Sequence, residues 1–187
     1  MADTTVRAGV ADLALHQAGQ PGGHPVMRPV TGAGDHPGSA VGRPGLVAIG
    51  THGGAGVSTL VRLLDPSRSG AVVEWQTGMA AGADRVPLLV ARSTAAGTMA
   101  AAGWITQWRP DLPRPVLVLV ADVPFRAPPV VRYRVRALSS QVVGVVEVPY
   151  MFLLRHFDDP ADALTNRKII RAVKSVHRQL DKLSGGS

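Results

Sequence analysis

The chain contains no cysteine, which excludes a disulfide framework and any thiolate metal site. Aromatic residues make up only 4% of its 187 positions, so its core must be aliphatic. No apolar run approaches the roughly 20 residues that a bilayer crossing requires. The most apolar stretch, "PVLVLVADVP", has the length of a strand. The N-terminal "MADTTVRAGVADLAL" lacks both a basic start and a long apolar centre. It does not read as a secretory signal, and a cytoplasmic location is expected.

Hydrophobic residues, chiefly Ala, Val and Leu, account for 45% of the chain, enough for the core of one domain. The net charge of +7 is unevenly distributed. Residues 1–125 carry 9 Arg/Lys and 8 Asp/Glu, a net of +1, whereas residues 126–187 carry 11 and 5, a net of +6. A basic C-terminal third suits an anionic partner, nucleic acid or a membrane surface, and equally a solvated basic face.

Residues 1–45 hold 9 Gly and 5 Pro with little hydrophobic periodicity. Such a segment cannot bury enough apolar surface to offset its ordering entropy. Residues 1–44 are therefore expected to form a disordered arm, and 45–187 the folded domain. From residue 45 onward, short Val/Leu-rich runs alternate with segments of helical type, the pattern of an α/β domain with a mostly parallel sheet. Strands are expected at 46–49, 71–75, 86–91, 116–121 and 142–148. Helices are expected at 57–64, 95–107, 129–138 and 160–183.

The last helix carries the clearest signals. Asp159 suits an N-cap and Pro160 the first helical position. Ile169, Val173, Val176, Leu180 and Leu183 form one apolar stripe, with Arg167, Arg171, Lys174, Arg178 and Lys182 largely off it. A terminal helix packed on the sheet explains this pattern. A basic amphipathic helix that touches DNA, lipid or a partner explains it too.

"LVAIGTHGGAGVSTLVRLL" (46–64) reads as a strand, a glycine-rich turn and a helix start. Such a turn presents backbone amides to a phosphate, assisted by the helix dipole. Gly50, Gly53, Gly54 and Gly56 allow the tight path, and Ser58 and Thr59 offer hydroxyls at the helix start. "HGGAGVST" resembles the deviant Walker A motif, K-G-G-x-G-K-[ST]-[ST], of the ParA/MinD family of P-loop ATPases. It is also similar to a loop in actinobacterial proteins encoded by plasmids and integrative elements.

The resemblance implies that His52, Gly53, Gly54, Ala55, Gly56, Val57, Ser58 and Thr59 form the nucleotide loop. His52 stands where the family has its signature lysine, and Val57 where it has the lysine of the β- and γ-phosphates. Glu74, in "AVVEWQTG", matches the acidic end of the family's second strand and is a possible acidic site residue. The stretches 86–105, 115–124 and 142–159 resemble later strands and loops of the same fold. No run matches the Walker B strand, so the domain is expected to be a shortened P-loop NTPase-like fold.

Phosphoryl transfer relies on positioning and charge neutralisation, and losing the loop lysine removes a charge-assisted contact of roughly 1.5–3 kcal/mol. The expected function is thus a catalytically inactive adaptor with a protein partner, in plasmid maintenance, conjugation or secretion as the resemblance implies. ATP, ADP or phosphate would be held weakly by the amides alone. One alternative is a DNA-binding accessory protein acting through the basic C-terminal region. Another is an unusual nucleotide-binding switch in which His52 supplies charge. The residues His156, Asp158 and Asp159 are better explained by turn and cap chemistry than as metal ligands, and no metal is expected. "FRAPPVVRYRVRA" gathers Arg126, Arg132, Arg134 and Arg136 near Tyr133, which suits nucleic acid or a plain helix surface.

Overall fold

A computed structural model of the chain describes residues 45–76, 79 and 85–184. The arm expected at 1–44 lies outside the described residues. The domain is α/β, in the order β1 (Gly45–Gly50), α1 (Val57–Leu64), β2 (Val72–Glu74), β3 (Arg85–Arg92), α2 (Ala95–Thr106), β4 (Val116–Val120), α3 (Pro129–Leu138), β5 (Gly144–Val148) and α4 (Arg167–Ser184). Short 3-10 segments at Phe152–His156 and Asp162–Thr165 lead into α4.

The five strands form one sheet in the order β2-β1-β3-β4-β5. Every pairing is parallel, where the sequence implied a mostly parallel sheet. The central strands are continuous apolar runs because both of their faces are covered. On one face, Ala48, Leu88, Val90, Val118 and Val146 pack under α1 and α4. On the other, Ile49, Leu89, Leu117 and Leu119 pack under α2 and α3, with Trp104 and Ile105 of α2. Alternate residues of β3 and β4 thus serve opposite layers.

Two polar devices shape the connections. Asp65, buried at the end of α1, accepts hydrogen bonds from the Ser69 and Gly70 backbone amides, both at 2.9 Å, and from the Ser67 and Ser69 hydroxyls. The turn into β2 is built around this carboxylate. Arg62 of α1 grips Asp159 through Nε and Nη2, with Nη2 at 2.7 Å from Oδ2, and its Nη1 donates to the Pro66 carbonyl. This pair ties α1 to the segment that precedes α4.

That tie accounts for the main departure from the sequence-based expectation. The stretch 160–183 is not one helix. Asp159 accepts from the Ala161 amide at 2.8 Å and faces Arg62, and a 3-10 turn follows. The chain is extended at Asn166, whose Oδ1 accepts the Lys168 amide at 2.9 Å. Asn166, not Asp159, is therefore the cap of α4. Smaller differences are that β2 is shorter than 71–75, β5 begins at Gly144 rather than at 142, and α2 ends one residue before 107. In α4 itself, Ile169, Val173, Val176 and Leu180 are buried as expected, each contributing about 1.5–3 kcal/mol at most. Among the described residues, no helix is long and apolar enough to cross a membrane.

The carboxylates predict how stability responds to acid. Hydrogen bonds from Arg62 and the Ala161 amide hold Asp159 below the usual carboxylate range. Burial pushes Asp65 upward, but the bonds from Ser69, Gly70 and Ser67 outweigh it and leave it depressed as well. Both groups take up protons more readily in the unfolded chain, whose carboxylates titrate near about pH 4. Their stabilisation is present above that pH and is lost as pH falls through the folded values. Urea midpoints measured across the acid range should fall steadily for the wild type and less steeply for Asp159→Asn. An unchanged slope in the variant would contradict this account.

Candidate functional site

The strand order sets the location of the site. From β1 the chain passes through α1 to β2 on one side, and from β3 through α2 to β4 on the other. The two helices lie on opposite faces of the sheet. The switch point, the place where parallel α/β sheets bind ligands, therefore lies beyond the carboxyl ends of β1 and β3.

The glycine-rich loop 51–56 leaves the end of β1 at this switch point. Its base is rigid: the buried Thr51 donates from its amide (3.0 Å) and its hydroxyl (3.1 Å) to the Val90 carbonyl of β3. The Thr51 carbonyl in turn accepts from Trp104 Nε1 of α2 at 3.2 Å. Gly54 (φ 74°) and Gly56 (φ 91°) take left-handed conformations that side chains disfavour. Gly56 opens α1 without a side-chain cap, and no acidic residue lies in the first turn. The first amides of α1 therefore lack intrahelical acceptors and combine with the positive dipole end. Gly53, Gly54 and Ser58 are exposed, Thr59 is half-buried, and Ala55 is buried beneath the turn.

Val57 and His52 are both engaged within the protein. Val57 is buried in the core beside Ala48 and Leu60. Its Cγ2 lies 3.0 Å from where a Cβ on Gly50 would be, so the side chain fills the space under the loop. His52 is bonded at both nitrogens: Nδ1 lies 2.8 Å from the Gly53 carbonyl, and Nε2 lies 3.3 Å from the Arg92 amide. The contacts are consistent with Nδ1–H donating and Nε2 accepting, roles assigned from the partners.

Arg92, at the end of β3, is a residue beside the glycine loop that the sequence did not single out. Its Nε donates to the Gly54 carbonyl at 3.0 Å, and its Nη1 pairs with Asp122 Oδ1 at 3.0 Å, just beyond β4. One guanidinium thus bridges the glycine loop and the end of the next strand across the switch point. Gly97 allows this close arrangement, since a Cβ there would overlap the Arg92 carbonyl oxygen as α2 passes the strand end. No sequence signal singles out Arg92, because its partners lie 38 and 30 residues away.

Glu74 is not brought to the loop. It is exposed, in register with Ala48, two positions short of Gly50. The residues present do not fit a magnesium site. Ser58 offers a single hydroxyl, and Asp122 is already engaged by Arg92. Among the described residues, no group of three or more His, Asp or Glu could hold a metal ion.

The basic helix forms a second, separate surface. Arg167, Arg171, Lys174, Arg178 and Lys182 are all exposed. At 100° per residue they fall within an arc of about 80°, opposite the buried stripe, along about 22 Å of α4. Among the described residues, no salt bridge engages them.

The bridge has a measurable consequence. Arg92→Ala removes the hydrogen bond to Gly54 and the pair to Asp122, so backbone amide exchange across 53–56 should accelerate several-fold. Because the pair is half exposed, global stability should change by no more than about 1 kcal/mol. Loop exchange identical to the wild type would show that the bridge does not hold the loop. Comparison with protein-family models, with curated proteins and with solved structures returned no match to this chain.

Proposed function

We propose that the chain is a non-catalytic, P-loop-like scaffold of ParA/MinD type that acts as an adaptor. The observation that carries this reading is the state of charge at the loop. Arg92 is committed to the Gly54 carbonyl and Asp122, His52 is hydrogen-bonded at both ring nitrogens, and Val57 is part of the core. A loop of this shape still offers amides to an anion, but residues 51–59 contain no Lys or Arg, and Arg92 beside them is already engaged, which disfavours stabilising charge on a transferring phosphoryl group.

Two absent lysines, at roughly 1.5–3 kcal/mol each, weaken nucleotide binding by about 10²–10⁴-fold from the micromolar range. Calorimetric titration with ATP and ADP in magnesium should give dissociation constants of about 0.1 mM or weaker. Phosphate release should remain at the rate of buffer. Micromolar affinity with sustained release would overturn the adaptor reading and favour a nucleotide switch.

A second reading is supported by α4. Its apolar stripe is occupied by the sheet, which leaves only a cationic face towards solvent. An interfacial membrane helix needs a free apolar face to insert, so the geometry favours the phosphate backbone of nucleic acid over lipid. Binding to random-sequence duplex DNA should then weaken with salt, with a log–log slope of up to about −4.5 for five contacts. Replacing Lys174 and Arg178 with Ala should reduce the slope by about 1.8. Salt-independent binding, or a slope unchanged by the double variant, would sink this reading.

A further inference from the structure

The sheet ends in an open strand. Among the described residues, β5 pairs only with β4, and its other edge carries ladder groups with no neighbouring strand. At Glu147 those groups are taken by a side chain instead: the Glu147 amide donates to Gln179 Oε1 at 3.0 Å, and Gln179 Nε2 donates to the Glu147 carbonyl at 3.2 Å. A primary carboxamide offers one acceptor and one donor side by side, as a peptide group does. Gln179 of α4 therefore occupies the position of one residue of a sixth strand.

Beside the carboxyl end of this edge lies a groove of 820 Å3, bounded by α3, by Glu147 and Val148 of β5 and by Ser175 and Gln179 of α4. Leu119, Val131 and Val148 give it an apolar floor, and all three are buried. Its rim is cationic: Arg126, Arg132 and Arg136 line it and are exposed. Arg132 and Arg136, four residues apart on α3, share one helix face. Against these three stands one carboxylate among the lining residues, Glu147. Phe125, 79% exposed, stands at the same rim.

We propose that the β5 edge is a docking site for an extended acidic peptide of a partner protein, which adds as a strand and displaces the Gln179 side chain. The three elements of strand addition are present. The open edge supplies main-chain hydrogen bonds, the floor accepts alternate apolar side chains, and the arginines select acidic ones. Gln179 is then a removable plug, which also keeps the bare edge from pairing with itself when no partner is bound. The inference extends the adaptor reading by naming the chemistry of its partner.

The test uses the full chain and a fluorescent peptide alternating Glu and Val, long enough to pair along the five residues of β5. Binding that weakens with salt is expected, and the Lys-for-Glu peptide should not bind. Arg132→Glu with Arg136→Glu should weaken binding about tenfold or more, and Arg132→Lys should largely retain it. Gln179→Ala should tighten binding about threefold or more, because the peptide no longer competes with the plug. Circular dichroism of each variant separates these effects from misfolding. No binding of the acidic peptide, equal binding of the basic one, or weaker binding to a folded Gln179→Ala would overturn the proposal. So would a Gln179→Ala protein that self-associates without binding peptide, since Gln179 would then only protect the edge. Phosphate release from ATP, followed in the same preparation, reads the adaptor claim separately: turnover alongside peptide binding sinks that claim and not the docking edge.

Discussion

The pairing of β1 with β3 is the constraint on which the rest of the molecule depends. Six register pairs, Gly45 with Arg85 through Gly50 with Val90, align the two strands so that their carboxyl ends finish together. Because the chain leaves these ends towards opposite faces, the space between them is not filled by packing helix on helix. It is spanned by polar contacts instead: Thr51 to Val90, His52 to the Arg92 amide, and Arg92 to Gly54. The shape of the glycine loop is thus supported from the neighbouring strand as much as by its own glycines.

This support has a chemical consequence. A loop built to receive phosphate benefits from cations that remain free until the ligand arrives. Here the guanidinium nearest the loop is satisfied by a carbonyl and a carboxylate, so the local charge is balanced within the protein. An entering anion would have to compete with Asp122 for Arg92, and the half-exposed position of the pair limits what that competition yields. The excess positive charge lies elsewhere, on the outer face of α4 and along the rim beside β5.

Much of the fold was legible in the sequence because both layers of the sheet are covered. Runs such as 86–91 and 116–120 stay apolar without alternation, and the helices α1 and α3 end where periodicity and proline place them. The glycine loop was legible for the same local reasons. What escaped notice depends on contacts between distant residues. Asp159 and Pro160 look like a helix start, yet Arg62, 97 residues away, claims the Asp159 carboxylate and moves the cap to Asn166. Arg92 looks like an ordinary strand end until the loop and Asp122 are placed around it. Gln179 reads as a polar helix residue, and only the sheet order shows that it faces an unpaired edge. Glu74 is the opposite case, a suggestive residue by sequence that the register leaves short of the loop.

The central claim is that the loop offers its amides to an anion while the guanidinium beside it is neutralised within the protein. It is tested most directly by following the backbone amide NMR signals of residues 53–59 during a titration with ATP and magnesium. The account predicts small shifts confined to these amides, in fast exchange and unsaturated at micromolar nucleotide. Saturation at micromolar nucleotide in slow exchange, together with displacement of the Arg92 side-chain signal, would contradict it.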